Sequence, residues 1–284
     1  MTRFFVSLSI AVLAALPAGA ALECASDAVY GVPFKYCIDE EKGVSTKDVL
    51  LFFHGMGGSE KTWLQDRHQA LRGALKQAGR LPKVITFSFG PNWLLTNVPA
   101  ENRPALLPFF MMHILPHLEK KVGGVTGNRL LVGESMGGLN AATVSLTSPQ
   151  KFKKVALLCP GIFTVGPYST NDEIEAYIAR HQPYIQRQLI EQVLAWALNE
   201  FPTDELYQQH NVIAWAARTT SGFPPYIITA STRDEFGVFE GAEAFVNVLR
   251  SRGQKPVWVP ILDLPHCHPT ADSIGQVARF LATP

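Results

Sequence analysis

The chain has 284 residues, of which 47% are hydrophobic and 17% charged, and its formal charge at neutral pH is +1. That length suits one large domain, or a domain carrying an inserted segment, and the apolar content is enough for a sizeable core. With no basic run and no acidic tail, nothing in the composition offers a footprint for nucleic acid or for an anionic surface.

Residues 1–20 read as a signal peptide: Arg3 near the start, an apolar stretch from Phe4 to Leu16, then Pro17 and the small-residue end Ala18-Gly19-Ala20. The apolar stretch is too short for a stable membrane span. Glu23 stands before Cys24, where a lipid-anchored cysteine would want a small residue. The mature chain is expected to begin near Ala21, in the periplasm or outside the cell. Arg3 is the only charge lost, leaving 24 basic residues against 24 acidic ones.

Export allows the four cysteines, Cys24, Cys37, Cys159 and Cys267, to pair. A Cys24–Cys37 bridge would close a short N-terminal loop and add about 3 kcal/mol in the chain-entropy picture. Cys159 and Cys267 each fall just beyond an expected strand, and either a second bridge or two buried thiols fits that placement.

Val29 to Ile38 reads as early strand structure, and 39–43 as a polar turn. Val49 to Phe53 is a continuous apolar run of the kind found in strands buried on both faces. It ends in His54-Gly55-Met56-Gly57-Gly58-Ser59, where small residues let backbone N–H groups face a substrate oxygen. His54 reads as a structural residue of this loop rather than a base. Helical spacing from Glu60 ends on Gly79, and Val84 to Phe89 is the next buried strand. Trp93, Leu94 and Leu95 beyond it could line an acyl or aromatic pocket. Leu106 to Val122 recurs every three or four residues, a core-facing helix with a kink expected at Pro116. His113 and His117 on it read as surface residues, since no carboxylate partner completes a metal set.

The apolar run 129–132 then leads into Gly133-Glu134-Ser135-Met136-Gly137-Gly138, followed by the helix-compatible stretch 139–144. Strand, sharp turn and helix in that order convert a common pattern into a specific one. A serine at such an apex is held strained with its hydroxyl exposed, and the glycines let strand and helix backbones approach closely. Val155 to Cys159 is another buried strand. From 161 to 222 the pattern is helical with breaks at Pro183 and Pro202, which reads as a helical lid inserted between two core strands. Pro225 to Ala230 resumes the sheet and Asp234 follows. A helix over 241–252, the strand Val257 to Ile261, the loop Leu264-Pro265-His266-Cys267-His268-Pro269 and a closing helix complete the chain.

A serine hydroxyl needs a neighbouring base to become a nucleophile, and the base needs an anion to fix its tautomer. Ser135, Asp234 and a histidine at 266 or 268 each stand at the exit of a successive strand, and in a parallel sheet such exits share one edge. This order, with the two glycine motifs, resembles the α/β-hydrolase superfamily and more loosely its secreted serine esterases, over nearly the whole mature chain. The resemblance implies an α/β fold with a mostly parallel twisted sheet. It also implies Ser135 as nucleophile, Asp234 as acid, His266 or His268 as base, and the N–H groups of Met56 and Met136 as oxyanion hole. His266 is preferred for its distance from the start of the last strand. No cofactor and no metal are expected, and no nucleic-acid partner. The expected substrate is a carboxylic ester, small or carried on a polymer. A peptide or amide substrate remains open on the same triad, as does a binding protein that has kept the fold.

Overall fold

The computed structural model describes residues 20–220 and 222–283. The expected signal peptide lies outside the described residues, save Ala20. Eight strands form one sheet: β1 (Ala20–Val29), β2 (Val32–Glu41), β3 (Val49–Phe53), β4 (Lys83–Ser88), β5 (Arg129–Glu134), β6 (Lys154–Leu158), β7 (Tyr226–Ser231) and β8 (Val257–Ile261). Their spatial order is β1-β2-β4-β3-β5-β6-β7-β8. The pairings β1–β2 and β2–β4 are antiparallel, and every pairing from β4 through β8 is parallel.

The strand structure expected over Val29 to Ile38 is present, divided by a turn: Tyr30 and Gly31, both at positive φ, turn β1 back into β2. One early expectation is revised. Residues 39–41 are not a turn but the end of β2. Asp39 is buried there because the Arg72 guanidinium (2.7 Å) and the Trp63 indole N–H (3.1 Å) both donate to it.

Among the described residues ten α-helices accompany the sheet: α1 (Asp66–Gln77), α2 (Leu106–Phe109), α3 (Leu115–Lys121), α4 (Met136–Thr147), α5 (Asn171–Arg180), α6 (Arg187–Glu200), α7 (Asp204–His210), α8 (Val212–Arg218), α9 (Val238–Ser251) and α10 (Ala271–Ala282). Where the sequence suggests a kink, a π-helical turn, Phe110–Ile114, lies between α2 and α3. Pro116 has no N–H to offer the Met112 carbonyl, so the helical ladder is interrupted there.

Alternation along the buried strands divides the core. Leu51, Phe53, Leu131 and Leu157 point to the face covered by α3, α4 and α9. Leu50, Phe52, Val132 and Ala156 point to the face covered by α1 and α10, through Leu71, Leu75, Val277 and Leu281. Both faces being covered is why these strands are continuous apolar runs rather than alternating ones. Between β6 and β7 lie α5 to α8, and α5 and α6 gather a small core of their own around Tyr177, Ile178, Ile190 and Leu194. No described helix is long and apolar enough to cross a membrane.

Candidate active site

Ser135 stands between β5 and α4 with φ +54° and ψ −119°, a conformation that costs a non-glycine residue of order 1 kcal/mol or more. Close packing around it holds the turn. A Cβ on Gly133 would sit 2.1 Å from the Gly137 carbonyl oxygen, and a Cβ on Gly137 would sit 2.0 Å from that of Phe53. Ser135 is also tied at both ends of its own peptide unit. Its N–H donates to Leu158 O (2.9 Å) and its carbonyl accepts from Gly161 N–H (2.8 Å).

The parallel strands bring two more side chains to this edge. His266, in the loop after β8, places Nε2 2.8 Å from Ser135 Oγ and Nδ1 2.6 Å from Asp234 Oδ2. Asp234, just past β7, is 3% exposed, and the Phe236 N–H donates to its other oxygen at 2.9 Å. A buried carboxylate on Nδ1 leaves Nε2 free to accept the serine proton. The His266 backbone N–H donates to Glu235 (2.8 Å), and the ring packs on Phe236 at 4.8 Å. His268, the other candidate, is exposed and turns Nδ1 back onto the His266 carbonyl (2.9 Å).

Met56 and Met136 both line the cavity that opens above Ser135. Neither backbone N–H donates to another group among the described residues, so both remain available to an incoming oxygen. His54 braces the Met56 loop from behind. Its Nδ1 donates to Gly55 O (2.7 Å), while Nε2 accepts from the Trp93 indole N–H (3.0 Å). Burial pushes this imidazole below its ordinary pKa, so it stays neutral in that double role.

Trp93 is therefore not where the sequence suggested. It is 1% exposed, among Phe53, Phe87 and His54, and does not line the cavity; its neighbours Leu94 and Leu95 do. An indole N–H buried in a core needs an acceptor, and the lone pair of His54 draws the ring inward.

The cavity has an empty volume of about 1010 Å3, open mouth included. Its walls are mostly apolar, among them Leu139, Ile162 and Phe163; α6 contributes Trp196, α8 Val212, and the link after α6 Phe201. Neither Asp, Glu, Lys nor Arg lines it. His210, at its far side, is spent on Leu206 O (2.8 Å) and the Asn97 N–H (2.8 Å).

A cluster that the sequence did not announce lies behind the serine. Glu134, 5% exposed, accepts from Arg67 (2.6 Å) and meets His68 Nε2 at 2.7 Å. Burial pushes the Glu134 carboxyl up, but His68 and Arg67 together outweigh it and hold the group below its ordinary range. Two disulfides are present: Cys24–Cys37 across the β1–β2 pair, and Cys159–Cys267, which joins the end of β6 to the residue after His266. Cys159, Cys267 and His266 bring three potential ligand atoms within 4.8 Å of one another, yet the two sulfurs are already bonded to each other.

This sheet, with a serine on the turn after a central strand and a histidine and an aspartate at neighbouring strand exits, defines an α/β-hydrolase. Residues 49–221 match the family described as "Putative esterase". The match covers more than half of the chain, which belongs to that esterase family and is a carboxylic ester hydrolase. No curated protein matches it. Among solved structures it is similar to a ferulic acid esterase, at 15% identity over 93% of this chain and 97% of the other, with a TM-score of 0.66. It is similar also to an esterase from Pyrobaculum calidifontis (18% identity, 91% and 84% covered, TM-score 0.64). An S-formylglutathione hydrolase from Agrobacterium tumefaciens matches at 15% identity, with 92% of each chain covered and a TM-score of 0.63. At these identities the likeness speaks for the fold alone.

Proposed function

We propose that the chain is an exported serine esterase acting on esters with an uncharged, apolar acyl or alcohol group. One observation carries the reading: Ser135 Oγ, 2.8 Å from an imidazole whose other nitrogen is held by buried Asp234, opens into a cavity without a charged wall. Ser135 Oγ attacks the ester carbonyl carbon while His266 Nε2 takes the hydroxyl proton. The resulting oxyanion accepts hydrogen bonds from the Met56 and Met136 N–H groups. His266 then gives its proton to the departing alcohol, leaving the acyl group on Ser135. A water attacks that acyl carbon as His266 takes the water's proton, and the acid leaves as the proton returns to Ser135.

Helices α5 to α8 serve as the lid over the site, since α6 to α8 supply one wall of the cavity and α5 and α6 hold a core separate from that of the sheet. Export is supported by the leader-like residues 1–20 and by the two disulfides.

The test is hydrolysis of chromogenic esters by the mature chain, comparing neutral acyl groups of increasing length with an anionic succinyl hemiester. Neutral esters are expected to be cleaved and the hemiester poorly, because a carboxylate would be desolvated with no cation to meet it. Ser135→Ala is expected to fold and to lose at least about 10⁴ in kcat. Wild-type turnover in that variant, or a preference for the hemiester, would sink the reading.

A further inference from the structure

We propose that the Cys159–Cys267 disulfide is a positioning device for His266, holding the base against Ser135 rather than merely stabilising the fold. The inference rests on the serine-esterase reading of the site above.

The loop that carries His266 is weakly held by packing. From Leu262 to Thr270 not one residue is buried, and Leu262 is 70% exposed. Little apolar surface therefore fixes its place, although transfer of a proton from Ser135 demands placement to a fraction of an ångström. Its polar ties to the rest of the protein are few: His266 to Ser135, Asp234 and Glu235, and the Asp263 N–H and side chain to Thr232 and Arg233. The ties of Asp263 are made at the open surface, where water competes for each partner, and only the bond to Asp234 reaches a buried group.

The covalent tie is of a different kind, because of where its other end stands. Cys159 follows β6 directly, and its N–H donates to Thr229 O at 2.8 Å. Leu158, just before it, and Gly161, two positions after it, are the two that hydrogen-bond the backbone N–H and carbonyl of Ser135. A short path thus runs from the backbone of the nucleophile, through the 158–161 segment and the two sulfurs, to the residue after the base. It is independent of Asp234. Both cysteines, moreover, sit at positive φ, +41° for Cys159 and +54° for Cys267, which non-glycine residues seldom adopt. Such backbone conformations persist where the surroundings over-determine them, and they concentrate at functional sites. The other disulfide, Cys24–Cys37, spans the paired strands β1 and β2 at the edge of the sheet, and neither of its cysteines adjoins a residue of the Ser135–His266–Asp234 set.

The full mature chain carrying Cys24→Ala and Cys37→Ala has Cys159–Cys267 as its only disulfide. A phosphine reductant converts that bond to two thiols, with one water supplying the oxygen of the phosphine oxide and the two thiol protons. Kinetics on a neutral chromogenic ester, thiol titration and far-UV circular dichroism are followed before reduction, after it and after reoxidation. Cys159→Ala/Cys267→Ala in the otherwise native chain is measured beside it.

The expected result is a fall in kcat of about 10- to 100-fold on reduction, with KM within twofold, an unchanged dichroism spectrum, and recovery on reoxidation. Three results would overturn the proposal: kcat retained within twofold in the reduced and double-alanine proteins, a change carried by KM alone, or activity lost only in step with the folded signal. An oxidised protein that cleaves no ester would remove the underlying reading as well. An oxidised protein that is active, with Ser135→Ala inactive, leaves that reading standing whatever reduction does.

Discussion

Glu134→Ala is expected to destabilise the fold by about 3 kcal/mol, and Glu134→Gln by only about 1 kcal/mol. His68 is 2% exposed, and its Nδ1 lies 2.9 Å from Thr62 O, a carbonyl that can only accept, so Nδ1 carries a proton. The 2.7 Å contact between His68 Nε2 and Glu134 Oε2 therefore holds one further proton. Alanine strands that buried nitrogen and removes the anion opposite Arg67. Breaking a buried pair costs about 3–5 kcal/mol, and the low end applies because Arg67, 38% exposed, can turn to water. Glutamine keeps the shape: its oxygen accepts from Arg67 while its amide donates to an unprotonated His68 Nε2. Urea unfolding followed by circular dichroism, at constant m, reads both differences. The folded carboxyl is held below the ordinary glutamate range, so its contribution is complete above the unfolded pKa and is lost as pH falls through the folded one. The stability gap between wild type and Glu134→Gln should thus be widest above about pH 5 and close as pH drops below about 4. An alanine cost under about 1 kcal/mol, or equal costs for alanine and glutamine, would refute the shared-proton cluster.

Asp234→Asn should lower kcat by about 10⁴ by favouring the wrong imidazole tautomer, whereas His268→Ala, at an exposed ring bonded only to its own loop, should stay within twofold in esterase assays. Trp93→Phe removes the indole donor to His54 and should cost about 1–2 kcal/mol in urea unfolding with KM unchanged, because the ring does not face the cavity. Gly73→Ala, mid-helix in α1 with nothing within 4 Å of the new Cβ, should stabilise by about 0.5–1 kcal/mol. By contrast, Gly137→Ala drives a Cβ to 2.0 Å from Phe53 O and should cost about 3 kcal/mol or more, read in the same denaturation series.

What could be read in advance followed from periodicity and from the geometry of parallel sheets. The apolar runs of β3 to β7 announce strands covered on both faces, and strands that run parallel deliver Ser135, Asp234 and a histidine to one edge. Between His266 and His268 spacing alone offered a preference for His266, from its distance to the last strand. Two positions apart on one loop, they differ in what the folded loop turns inward. Trp93 misled because a tryptophan after a strand reads the same whether its ring faces a pocket or a core. Only the buried acceptor on His54, 39 positions away, decides it. Glu134, Arg67 and His68 were silent for the same reason, since 66 positions separate the carboxylate from the imidazole it meets and no local pattern links them. The Tyr30–Gly31 turn was missed because tyrosine is a poor signal for a left-handed position.

The two sides of the site are held by different physics. On the serine side, backbone packs against backbone so tightly that Gly133 and Gly137 leave no room for a Cβ, and both ends of the serine peptide unit are hydrogen-bonded. The unusual backbone conformation of Ser135 persists there because close backbone packing and two hydrogen bonds over-determine it. On the histidine side no side chain of the loop is buried, so position must come from bonds rather than from packing. An imidazole that has to face Ser135, Asp234 and a departing alcohol in turn gains from a loop with some freedom, but only if that freedom is bounded. Asp234 bounds the orientation of the ring, and the sulfur bridge to Cys159 bounds the distance of its backbone from the nucleophile. Removing either constraint is expected to leave the fold intact and the serine in place, so that the loss registers in turnover before it registers in stability.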